Sequence, residues 1–198
     1  MLRLKPTTII ALDPYSAGFS EIVLARFKGD FPTSGNLIQA VALNPKEAGL
    51  SFETDLASVG DSTFDLSARK NVQMEAGKAQ ALFEREANSL EPSLIELFGA
   101  GRRAAEIARA RREGIQIVRN RMVYLLVSSP ESFARGVILE LVRLIRLLFA
   151  RFYTEEPYSL HVVVMLPSLF EHPGSVDYAA TYALLKTLDQ SASSGMVI

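Results

Sequence analysis

Cysteine is absent from the sequence, which excludes disulfides, thiolate metal sites and a cysteine nucleophile. Histidine is scarce: His161 and His172 are the only two, and their spacing matches no zinc-ligand pattern, so no metal site is expected. Neither sign of charge is in excess. With 21 Lys and Arg against 22 Asp and Glu, the net charge of -1 gives no global argument for nucleic acid or an anionic membrane. Long apolar runs are missing too. The most apolar helical stretch is interrupted by Arg143 and Arg146, and its uncharged parts fall short of the ~20 residues of a membrane span. The opening "MLRLKPTTIIALD" lacks the apolar core and small-residue cleavage site of a signal peptide. A soluble cytoplasmic protein, binding neither nucleic acid nor membrane, is the expectation. Glycine is lacking where nucleotide chemistry needs it: no G-x-x-x-x-G-K-[ST], no G-x-G-x-x-G and no G-x-S-x-G occurs.

What is present is a chain of 198 residues with 48% apolar side chains, enough for one packed domain. That domain is expected to span residues 1–190, with 191–198, "SASSGMVI", as a disordered tail. "TTIIALD" (Thr7 to Asp13) reads as a buried strand ended by Asp13-Pro14. "SAGFSEIVLARFKG" follows with helical spacing and closes at Gly29. Leu37–Leu43 is a second strand, ended by Asn44-Pro45, and an irregular connection is expected from Lys46 to about Leu66. Helix-forming composition covers Lys70 to Asn88, and Pro92 opens a helix ending near Phe98. An arginine-rich helix then runs to about Asn120. A strand (Val123–Val127), a helix (Ser132–Phe152), a strand (His161–Leu166) and a helix (Val176–Asp189) complete the chain. Apolar strands alternating with helices predict an α/β fold, a parallel sheet with helices on both faces and the strand at Val123 central.

Two surfaces stand out. On the Ser132–Phe152 helix, residues from Val137 to Phe152 fill an apolar arc of roughly 160°, and Leu139 and Leu147 fall on the opposite, charged side. They are either scattered surface leucines or a contact patch for a partner. The run Arg102, Arg103, Arg109, Arg111, Arg112, Arg119 and Arg121 is the one basic concentration. It reads as a solvated helix face balanced by Glu106 and Glu113, or as a surface for an acidic protein.

Ligands of open α/β sheets bind beyond the C-terminal ends of the strands. Here those ends are "ALDPYSAG", "SSPESFARG" and "LPSLFEHPG". A phosphate cradle needs inward-turned N–H groups and hence glycine. The first loop offers Gly18 alone, and the second Gly136 alone, with Glu131 and Phe133 in the way. If a nucleotide binds, Ser16, Gly18, Ser128, Ser129, Ser132, Arg135 and Gly136 are the residues to hold it.

The order of these pieces resembles the nucleotide-binding half of the tubulin superfamily, especially its divergent bacterial members. "IIALDPYSAGFSEIVLARF" stands where that family has its first strand and glycine-rich turn, and "VYLLVSSPESFARGVILELVRLI" where it has the glycine-threonine signature loop. "HVVVMLPSLF", "DYAATYALLKTLD" and "FGAGRRAAEIARARREGI" resemble further segments of the family. The signature loop itself is missing. The resemblance implies a Rossmann-like tubulin nucleotide-binding topology. It also implies a pseudo-GTPase, without catalytic residues or cofactor, that works as a homo-oligomer or with a partner protein. Its interface candidates are Leu139, Leu147, Arg102, Arg103, Arg109 and Arg112. A tubulin-like protein that still binds GTP or GDP with magnesium is the alternative. A von Willebrand A-type metal-dependent module is another, although Asp13 and Ser16 lie three apart where that motif has two.

Overall fold

The computed structural model describes residues 2–32, 37–46, 49–53, 74–100, 104–129, 131–167 and 175–193. In chain order these form β1 (Leu2–Leu4), β2 (Thr7–Ala11), α1 (Pro14–Asp30), β3 (Ile38–Lys46), β4 (Gly49–Glu53), α2 (Ala76–Ala100) and α3 (Ala104–Arg112). They continue with β5 (Ile115–Ile117), β6 (Arg121–Ser128), α4 (Ser132–Phe152), β7 (Tyr158–Met165) and α5 (Ser175–Ser193). The fold is α/β. Five strands form one mixed sheet in the order β4-β3-β2-β6-β7, and β1 pairs with β5 in a small parallel sheet. The strands at Thr7, Leu37, Val123 and His161 lie parallel in that sheet, as their apolar composition requires. β6 is interior, between β2 and β7, but the middle position belongs to β2.

Alternation along the strands sorts the two faces. Ile10, Leu12, Val41, Leu43, Val123, Leu125 and Val127 join the main core with Phe83, Leu94 and Phe98 of α2 and Val137, Leu141 and Phe149 of α4. Ile9, Ala40 and Leu126 point the other way, toward Val23 and Leu24 of α1. Ala11 and Ala42 meet Ala17 of α1 there. Helices therefore cover both faces, but unequally.

Five local expectations need correction. The sheet is not wholly parallel, because β4 runs antiparallel to β3 inside the stretch read as an irregular connection. β3 does not stop at Asn44-Pro45: it continues to Lys46, where β4 is its partner. Beyond Ala42, β2 no longer pairs with it, so Pro45 lies in an edge-like position where a missing N–H is tolerated. Pro92 does not open a helix but lies inside α2, one helix of 25 residues. The reason is tertiary. Ala79, Phe83, Leu90, Leu94, Leu97 and Phe98 are all buried, and at about 100° per residue they form one stripe in phase across the proline. The arginine-rich helix ends at Arg112, not Asn120, because Gly114 adopts φ 75° and the chain re-enters as β5. Last, α5 extends to Ser193, three residues into the expected tail, and 194–198 lie outside the described residues.

Candidate functional site

In the sheet order β4-β3-β2-β6-β7, the chain steps from β2 to β3 through α1, and from β6 to β7 through α4 on the opposite face. The order reverses between β2 and β6, so the ligand crevice of such a sheet falls at their C-terminal ends. Those ends are Leu12-Asp13 and Ser128-Ser129, the first two loops singled out in the sequence, now adjacent.

The crevice is closed by the chain itself. Asp13 is the N-cap of α1, and its Oδ1 accepts from the Ser16 backbone N–H at 2.8 Å. The same oxygen accepts from the Ser128 hydroxyl at 2.6 Å, while Oδ2 accepts from the Ser128 N–H at 2.7 Å. Ser16 Oγ in turn accepts from the Leu12 and Asp13 N–H groups, both at 3.2 Å, and donates to the Asp13 carbonyl at 3.0 Å. Asp13 is 5% exposed, and Ser16, Ser128 and Ser129 are fully buried. One carboxylate thus collects the donors that an anion at this helix terminus would need.

The second loop is tied down in the same way. Ser129 donates its N–H to the Met165 carbonyl at 3.0 Å, and its hydroxyl accepts from Thr181 of α5 at 2.7 Å. Arg135 donates to the Ser129 carbonyl at 3.0 Å. Ser132 is half-buried in the first turn of α4, and Gly18 is buried within α1. Gly136 does not open a cradle. A Cβ there would lie 2.2 Å from the Ala76 carbonyl oxygen, so this glycine lets α2 and α4 approach closely. Nor does Phe133 crowd the loop; it is 5% exposed and part of the main core. The structure therefore brings Ser16, Ser128 and Ser129 together with Arg135 nearby, but assigns Gly136 to helix packing. Asp13 and Thr181, the residues that complete the network, were not singled out as site residues. The capping box in "DPYS" was the signal for Asp13.

The third loop, including His172, lies mostly outside the described residues. His161 is on β7, exposed and stacked against Tyr124 with ring centroids 5.1 Å apart. Among the described residues, no three or more His, Asp or Glu side chains gather where they would hold a metal ion. Both Asp13 oxygens face N–H and O–H donors, which an ion would have to displace. A separate pocket of about 510 Å³, lined by Arg119, Tyr153, Glu155 and Glu156 among others, lies near the opposite ends of β6 and β7.

Of the surface candidates, Leu147 is 61% exposed, whereas Leu139 is half-buried and packs against the main core. Arg109 pairs with Glu106 at 3.1 Å, and Arg112 reaches the Ala108 carbonyl at 3.5 Å. Arg102 and Arg103 lie outside the described residues. Other apolar side chains stand in solvent: Phe19 and Ile22 on α1, Val163 on β7, and Tyr178, Tyr182 and Leu185 on α5. Among the described residues, no helix is long and apolar enough to cross a membrane.

Comparison with protein families, with characterised proteins and with solved structures finds no match to this chain.

Proposed function

We propose that this chain is a non-catalytic, tubulin-like domain of Rossmann-like topology that acts by association, with itself or with a related protein, in the cytoplasm. One observation carries the reading. At the switch point of the sheet, the Asp13 carboxylate accepts from the Ser16 N–H, the Ser128 N–H and the Ser128 hydroxyl. A nucleotide phosphate there would have to expel a buried, hydrogen-bonded carboxylate of its own sign. Pro14 supplies no N–H, and the one glycine of the second loop is taken by the α2–α4 contact. The residues present do not fit GTP with magnesium. Phosphoryl transfer depends on positioning and electrostatic stabilisation of the phosphate, and the Ser16 and Ser128 donors that would supply them here are already held by Asp13.

Titration calorimetry with GTP and GDP, with and without magnesium, tests the reading. No heat of binding is expected, and no hydrolysis above background. Stoichiometric binding of either nucleotide that is lost on replacing Ser128 would overturn it in favour of an atypical GTP-binding protein.

A further inference from the structure

β7 is an edge of the main sheet: among the described residues, β6 is its only partner. The geometry settles which backbone groups it leaves open. The Met165 carbonyl accepts from Ser129, and the Pro157 carbonyl accepts from Arg121, so the odd-numbered residues turn their backbone toward β6. Leu160, Val162 and Val164 then turn their N–H and C=O groups to the outer edge. A row of this kind is completed by another strand rather than by a side-chain surface.

Among the described residues, the strand itself carries none of the charges or prolines that usually protect an edge. "YSLHVVVM" contains no Lys, Arg, Asp, Glu or Pro over eight residues, about 26 Å of strand. The opposite edge differs. β4 has five residues, ends in Glu53 and packs against α2. An uncharged strand selects an uncharged partner, and β7 of a second copy meets that need. A twofold axis through Val162 gives an antiparallel pair with Leu160 opposite Val164 on the core face, and His161 opposite Val163 on the other. No formally charged side chain faces its like, and on the core face each apolar residue meets another.

From this we infer that the chain forms a twofold dimer by antiparallel β7–β7 pairing, joining two five-stranded sheets into one. The inference rests on the associative reading above and names the partner as a second copy of this chain. Eight residues a side is well below the roughly 20–30 of a stable interface, so the dimer dissociates on dilution.

Sedimentation across a concentration series tests it, with hydrogen exchange read at the Leu160, Val162 and Val164 amides. The wild type is expected to pass from monomer to dimer, with those amides protected only in the dimer. Val162→Pro removes an N–H that faces the open edge and leaves the β6 ladder intact; it is expected to weaken dimerisation at least tenfold. Should that variant fail to fold, Val163→Lys serves instead, since Val163 is 38% exposed and a lysine there adds charge at the seam. A wild type that stays monomeric overturns the inference. If its edge amides are nevertheless protected, a segment of its own chain covers β7. A folded variant that dimerises like the wild type overturns it as well. Nucleotide binding at the Asp13 crevice would refute the function proposed above and leave this dimer standing, whereas a monomer that binds no nucleotide would do the reverse.

Discussion

The two faces of the main sheet are built from the same strands and buried to different depths. On one face, α2 and α4 lay a continuous apolar layer over residues such as Ile10, Val41, Val123 and Leu125, all 2% exposed or less. On the other, α1 covers β2 and β3 through small side chains, Ala11, Ala17 and Ala42, and leaves Tyr124 half-buried with His161 and Val163 in solvent. The covered face is where stability resides, because dispersion and apolar burial both scale with contact. On the barer face only the part around His161 and Val163, beyond the reach of α1, stands in solvent.

The largest expected effect tests the covered face. Phe149 is 1% exposed and packs against Phe98, Tyr153 and Tyr158 with centroid distances of 5.0, 5.2 and 4.0 Å. Phe149→Ala should cost about 3–5 kcal/mol in urea unfolding. A loss under 1 kcal/mol would mean that the ring cluster does not organise this face. Next comes the seam between the faces. Asp13→Ala removes a helix cap and strands the buried Ser16 and Ser128 donors, a loss of about 3 kcal/mol. Formate or phosphate should restore part of that stability in the variant and not in the wild type, measured as a shift in thermal midpoint. Gly136→Ala should cost about 2 kcal/mol by forcing α2 from α4, since the clash is with backbone. The smallest effect belongs to Leu147→Glu, within about 0.5 kcal/mol of wild type by the same unfolding assay. Leu139→Glu should cost more, because Leu139 touches the core; equal losses would break the distinction between the two leucines.

Much of the fold was legible in the sequence because strand and helix periods are local. The apolar run at Val123 and the arc on α4 marked β6 and a helix whose ends, Ser132 and Phe152, match the structure. Phe152, at the end of that arc, is nonetheless 46% exposed, with the Arg151 guanidinium 4.9 Å from its ring centre. β1, β4 and β5 were not legible. They are three to five residues long, too short for periodicity, and exist through pairing with distant partners. The continuity of α2 through Pro92 was not legible either, because proline locally opposes a helix and only the burial of a stripe in phase across it overrides that preference.

For the candidate site, the sequence by itself determined what was missing: glycines to cradle a phosphate, cysteine, and a charge excess. It also determined the DPYS cap, since Asp13 and Ser16 are three residues apart and satisfy each other locally. Only the tertiary structure decided what fills the crevice. The Asp13–Ser128 bonds span 115 residues and form because β2 and β6 are neighbours, and Thr181 reaches Ser129 across 52. No local pattern encodes such contacts. They follow from the order of strands in the sheet, which is set by the burial of both its faces together.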